Sequence, residues 1–146
     1  FETIGMAAVA KSAAEARDLL VLRDGDGITM NRDRLLADAK AKALALVDGY
    51  EPPERAEISL PGRTAMAAMS MAVDGFHKAG KATAHDVTVG KALAGVLSGG
   101  DTDIAETIGE DDLLDLERET FVALSRHPAS IARVKHMLDT GKPLRN

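Results

Sequence analysis

Residues 63–100 read RTAMAAMSMAVDGFHKAGKATAHDVTVGKALAGVLSGG, and their periodicity decides the fold class. Met66, Met69, Val73 and Phe76 recur three or four residues apart, which places one apolar stripe on a helix over about 63–79. Gly80 lies just beyond it. Thr83 then reads as an N-cap, because a threonine hydroxyl accepts from a free backbone N–H of the first turn. It opens a second helix over about 84–98, with Val89, Leu93, Val96 and Leu97 inward and Gly99-Gly100 closing it. Gly90 and Gly95 interrupt this helix at a cost in propensity, which predicts close backbone packing against a neighbour.

Outward from this pair the punctuation is clear. Pro61-Gly62 is a break, and Tyr50-Glu51-Pro52-Pro53 is a linker, since proline does not continue a helix. Ahead of the linker, an Ala-rich stretch predicts a helix over 2–10. Ser12 and Glu15 form a capping box for a helix over 13–20. Asp24-Gly25-Asp26-Gly27 is a turn, Ile28-Thr29-Met30 a short strand, and Asn31 the cap of a helix over 32–47 that carries Leu35, Ala39, Ala43 and Leu46. Downstream, one helix is expected over 110–126 and another over 128–139, with Pro128 in its first turn and Gly141 as its stop. The reading is an all-α, compact bundle of six to seven helices with one short strand. It divides into helices at 1–50, a linker at 51–62 and a helical domain at 63–146.

The last two helices are expected to form an antiparallel hairpin, with Leu113, Leu116, Phe121 and Leu124 facing Ile131, Val134 and Leu138. Residues 101–119 hold nine acids and only Arg118 as a base, whereas 126–145 hold five bases and only Asp139 as an acid, so the two arms attract. Glu117 shares a face with Leu113 and Phe121. A carboxylate there is costly unless it is paired, which predicts a partly buried Glu117 with Lys135 as first partner and Arg145 as second.

Composition bounds the chemistry. Hydrophobic residues are 45% and aromatic residues 3%, so the core is built from Ala, Leu, Val and Met. There is no cysteine, which excludes disulfides and thiolate metal sites. A net charge of -5 argues against nucleic-acid binding, and no apolar run approaches the ~20 residues that span a bilayer. The first residue is Phe with no signal-peptide pattern after it, so the chain is expected to be part of something longer and cytoplasmic. His77, His85, His127 and His136 lack metal-ligand spacing and read as structural or surface groups. Met66, Met69 and Met71 read as core filler rather than a binding groove, with Met71 off the stripe. Asp24–Gly27 and Asp101–Asp103 lack the full ligand series of a calcium loop. No dinucleotide fingerprint, phosphate loop or nucleophile elbow is present.

Leu113-Leu114-Asp115-Leu116-Glu117-Arg118-Glu119, Phe121, His136-Met137-Leu138 and the closing Thr140-Gly141-Lys142-Pro143-Leu144-Arg145-Asn146 resemble the end of bacterial fused 3-hydroxyacyl-CoA dehydrogenases. Phe1-Glu2-Thr3-Ile4-Gly5-Met6-Ala7 and Ser12-Ala13-Ala14-Glu15-Ala16 resemble the end of a crotonase (enoyl-CoA hydratase) region, in which such a helix precedes a short strand and a further helix. Two departures stand out. Leu20 replaces the usual Gly of crotonases, and His127-Pro128-Ala129-Ser130 replaces a more polar turn. The resemblance implies a fatty-acid β-oxidation enzyme whose NAD site and catalytic groups lie in other parts of the parent. For this chain it implies no catalytic, cofactor or metal residue of its own. Its expected partners are the upstream domains of the same enzyme and a second copy, through apolar faces such as Leu35 and Leu46. The alternative is an independent helical module that binds acyl-CoA or a protein, with Arg133, Lys142 and Arg145 meeting CoA phosphates.

Overall fold

The two stripes of residues 63–100 form the helices they predict. In the computed structural model, which describes residues 1–146, they are α4 (Gly62–Lys78) and α5 (Ala84–Ser98). Around them run α1 (Glu2–Gly5), α2 (Ala13–Asp18), a 3-10 turn (Arg32–Arg34), α3 (Leu35–Ala45), β1 (Glu57–Ser59), β2 (Thr107–Gly109), α6 (Glu110–Ser125) and α7 (Pro128–Thr140). The fold is helical, with one small sheet. The chain forms two compact units, Phe1–Gly5 with Arg55–Asn146, and Met6–Glu54.

In the larger unit, α4 and α5 pack as an antiparallel hairpin. Val73 meets Gly90, and Asp74 meets Lys91 at 2.8 Å. Ala94 and Ser98 are fully buried, and Val73 is buried as well. A Cβ at position 90 would lie 3.0 Å from a Val73 methyl, so the expected close approach is real there. At Gly95 nothing stands within 4 Å, and the same expectation fails.

β1 and β2 pair antiparallel, with Glu57 opposite Gly109, Ile58 opposite Ile108 and Ser59 opposite Thr107. Periodicity did not reveal these strands, because three residues are too few to show an alternation. The strand expected at Ile28–Met30 is absent. Thr29 instead donates its hydroxyl to Asp38 of α3 at 3.1 Å, in open loop.

The expected α6–α7 hairpin is not packed as drawn. Leu113, Leu116 and Leu124 are half-buried, but Phe121 is 69% exposed, and Ile131, Val134 and Leu138 are exposed as well. The reason lies in α5. Leu116 turns toward Gly100, where its methyl stands 3.2 Å from a Cβ position, so α6 lays its apolar side on the end of α5 and touches α7 only sparsely.

In the smaller unit, Ser12 Oγ accepts from Glu15 N at 3.1 Å. The Glu15 carboxylate returns to Lys11 N at 2.6 Å rather than to Ser12 N, so the box closes one residue early. Asn31 Oδ1 accepts from Asp33 N at 2.9 Å, as a cap should. The helix expected over 2–10 spans only Glu2–Gly5, which belongs to the larger unit. Leu35, Leu36, Leu44 and Leu46 are all exposed.

Helix α2 ends with Val21 N and Leu22 N both donating to Ala16 O, at 2.9 and 3.1 Å, and Leu20 takes φ +59° to allow this. A Cβ in the left-handed region costs about 1–2 kcal/mol, and Leu20 is 89% exposed, so packing returns little. Leu20→Gly should therefore raise stability by about 1 kcal/mol after the glycine's extra unfolded-state entropy is subtracted. A higher urea midpoint at unchanged slope is the expected reading. A lower midpoint would mean that the leucine side chain contributes contacts worth more than the strain.

Candidate functional site

The densest polar cluster gathers at the start of α5. Thr83 caps that helix by accepting from Asp86 N at 3.2 Å, and the Asp86 carboxylate accepts from Thr83 N at 2.8 Å. The reciprocal box satisfies two free N–H groups and fixes the Asp86 carboxylate in place. From α7, Arg133 reaches across. Its Nη2 donates to Asp86 Oδ1 at 2.7 Å and to Thr83 Oγ1 at 3.1 Å. This ion pair has the least exposed side chains of any in the chain, at 27% and 33%. Asp86 is held below the usual carboxylate range, because hydrogen bonds from Thr83 and Arg133 outweigh a burial effect that on its own raises it.

The chain's closing residues fill the remaining space. Arg133 Nε donates to Asn146 Oδ1 at 2.7 Å and His85 N to Asn146 O at 3.4 Å, while Asn146 Nδ2 donates to Ala129 O at 3.0 Å. Arg145 donates to Lys81 O at 3.0 Å. Beside them, His85 Nε2 and Ser130 Oγ are 2.9 Å apart, and the His85 ring stacks on His127 with centroids 4.8 Å apart. His127 Nδ1 accepts from Ala129 N at 3.2 Å, capping α7. His85 is 4% exposed, and its pKa is lowered, first by burial and then by Arg133 and His127. It is neutral at pH 7.

What this cluster does chemically is hold elements together. The Ser130–His85 contact has the outline of a nucleophile and base, but activation needs a third group to orient the imidazole. His85 Nδ1 is buried without a partner, so no carboxylate performs that task. No group of His, Asp and Glu is arranged to hold a metal ion. The residues present also do not fit a dinucleotide. The only strand that runs directly into a helix is β2, and α6 begins Glu110-Asp111-Asp112, three acids where a pyrophosphate would need free donors. A separate cleft of about 520 Å3 lies beside Pro61, Arg63, Ala68, Thr102, Ile104 and Glu106. Arg63 pairs with Asp101 at its rim.

The residues singled out from sequence fall differently. Glu117 is exposed and makes no ion pair, with Lys135 or with Arg145. With α6 turned onto α5, its position lies at the edge of the apolar face, where water solvates it. Of the three bases considered for CoA phosphates, Arg133 is engaged with Asp86, Thr83 and Asn146, and Arg145 with Lys81 O. Lys142 is exposed. His77 Nδ1 lies 2.8 Å from Ala82 O, and His136 is half-buried on α7. Met66 and Met69 are half-buried, while Met71 is exposed, as the stripe requires. Sequence reasoning did not find Asp86, Ser130 or Asn146. The Thr83-x-x-Asp86 spacing was a readable signal for the first; the other two stand in segments that the resemblance singled out, but no local pattern gave either of them a partner.

No helix is long and apolar enough to cross a membrane. No family model matches the chain, and no solved structure matches it. Over its whole length it is 43% identical to a probable 3-hydroxyacyl-CoA dehydrogenase of Bacillus subtilis (strain 168), and it spans 19% of that protein's length.

Proposed function

We propose that this chain is a non-catalytic helical part of a cytoplasmic fatty-acid β-oxidation enzyme, a NAD-dependent 3-hydroxyacyl-CoA dehydrogenase joined to a crotonase-like region. Its task is to pack against the catalytic domains and to form contacts between subunits. The observation that carries this reading is the 43% identity along the entire chain to a segment making up 19% of the Bacillus subtilis protein. Exposed apolar side chains support it, Phe121, Ile131 and Leu138 in the larger unit and Leu36 and Leu44 in the smaller. Faces of this kind mark protein contacts. An independent acyl-CoA module is the second reading. It is weakened because Arg133 and Arg145 already have partners, leaving Lys142 as the free base of the three.

Purified chain incubated with 3-hydroxybutyryl-CoA and NAD should form no NADH above a buffer blank. Light scattering at high concentration should show self-association through the uncovered apolar faces. NADH formation would overturn the non-catalytic assignment. Tight acyl-CoA binding by calorimetry, with a strictly monomeric mass, would favour the module.

A further inference from the structure

Helices α6 and α7 each turn one side to α5 and leave another side bare. On α6, Leu113, Leu116 and Leu124 are half-buried, and Leu116 reaches Gly100. On α7, Ser130 meets His85 and Arg133 meets Asp86. What remains is a stripe of Leu114, Glu117 and Phe121 on α6 and a stripe of Ile131, Lys135 and Leu138 on α7, all six exposed. Each stripe spans about 60° of its helix. Neither Glu117 nor Lys135 makes an ion pair within the chain. The two stripes match in reverse. From Leu114 the steps to Glu117 and Phe121 are three and four residues, and from Leu138 back to Lys135 and Ile131 they are also three and four. Laid antiparallel, Leu114 meets Leu138, Phe121 meets Ile131, and the Glu117 carboxylate meets the Lys135 ammonium. A parallel arrangement sets Glu117 on Val134 and Arg118 on Lys135, two like charges.

Resting on the reading that this part forms contacts between subunits, we propose that the two stripes dock a second copy of the chain, with α6 of each copy on α7 of the other, antiparallel and in that register. A two-fold axis makes every such contact twice. Two Leu114–Leu138 pairs, two Phe121–Ile131 pairs and two Glu117–Lys135 ion pairs therefore form together. The apolar side chains supply the attraction by leaving water. The ion pairs set direction and register. An exposed pair by itself contributes little, but like charges facing each other across an interface repel strongly. Within one chain the same pair is not made, because α6 lies on the end of α5 and α7 on its start.

The test uses the full chain and follows its mass by sedimentation equilibrium across a concentration series. The wild-type chain should dimerise. Lys135→Glu sets two carboxylates against each other in each contact, and Glu117→Lys sets two ammonium groups. Each variant alone should dimerise about tenfold more weakly than the wild type, or worse. Mixed in equal amounts, the two variants should form a heterodimer with an affinity within about threefold of the wild type, because every acid then faces a base. A pair made inside one chain gives no such rescue on mixing. Both positions are exposed, so helix content by circular dichroism should be unchanged in each variant. A dimer indifferent to both charge reversals, or a weakened one that mixing does not restore, would overturn this surface and leave subunit contact through another face standing. A wild-type chain that stays monomeric throughout would overturn the surface and the subunit-contact reading together.

Discussion

Gly62→Ala should destabilise the larger unit by about 3 kcal/mol. Gly62 is buried at the start of α4 with φ +62°. A Cβ placed there would overlap Thr102 O and come 3.1 Å from Thr102 C. Both are backbone atoms, which cannot swing aside as a flexible side-chain end can. Two costs combine, about 1–2 kcal/mol for a left-handed residue with a Cβ and about 1–3 kcal/mol for overpacking. The loop after α5 must move to relieve the clash. It is tied by Thr102 Oγ1 to Ser98 O at 3.4 Å, and Ser59 Oγ donates to Ile104 O at 3.2 Å beside β1. Relief therefore spreads to the sheet. Gly25→Ala is the control, since nothing lies within 4 Å of that position, and it should change stability by less than about 0.5 kcal/mol. Urea unfolding monitored by circular dichroism reads both. A Gly62→Ala loss below about 1 kcal/mol would show that the loop yields freely and that α4 does not depend on the close approach.

Residues 63–100 were legible because several local signals agreed there. The stripe, the Thr83 cap and the closing glycines all specified helix, and such agreement is what makes a sequence readable. The helix starts at Ser12, Asn31 and Pro128 were legible for the same reason, as each rests on a hydrogen bond or a missing N–H within a few residues. Partner choice between helices was not. The apolar face of α6 is visible in its sequence, but whether it lies on α5 or α7 depends on surface complementarity between distant residues, such as Leu116 with Gly100. Short connection length favoured α7, and packing against α5 prevailed. The sheet was hidden because Glu57–Ser59 and Thr107–Gly109 are paired across about fifty residues of intervening chain and are too short to declare themselves.

The site followed the same division. Glu117 drew attention because its helical position was apolar on one side, but burial depends on what covers the face, and nothing covers Glu117. Asp86 is the carboxylate of the least exposed ion pair. Its own helix announces it only as a capping residue. The partner arrives from α7, forty-seven positions away. Arg133 belongs only to the alternative reading of the sequence, in which it meets CoA phosphate together with Lys142 and Arg145. Its neighbours, all from other turns and other elements, decide otherwise.

Arg133→Met should cost about 2 kcal/mol and raise the pKa of His85. The side chains of Arg133 and Asp86 are 27% and 33% exposed, so the pair lies between the fully exposed case and the buried one. Exposed pairs contribute about 0–1 kcal/mol and broken buried pairs cost about 3–5. Methionine keeps much of the stem's volume, so the loss reports on the guanidinium rather than on a cavity. Asp86→Asn should cost a similar amount, because its one amide oxygen accepts from Arg133 or from Thr83 N but not from both, and the amide nitrogen faces the donor left over. In a double-mutant cycle the two changes should be non-additive by about 1 kcal/mol if the contact is direct. His85 supplies the second readout. Its folded pKa lies below the ordinary imidazole value of 6.5, with Arg133 the second cause after burial. A base depressed in this way binds its proton first in the unfolded state. His85's contribution to stability is therefore full above about 6.5 and falls as pH drops through that value toward the folded pKa. Removing the Arg133 charge weakens one of the depressing causes, so Arg133→Met should narrow that acid-sensitive window as well as lower the plateau. Titration of the His85 ring signals by NMR measures the first effect and urea unfolding the second. Loss of stability with an unmoved His85 titration would mean that Arg133 acts through Asp86 and Asn146 alone, and that its charge is not felt at the imidazole.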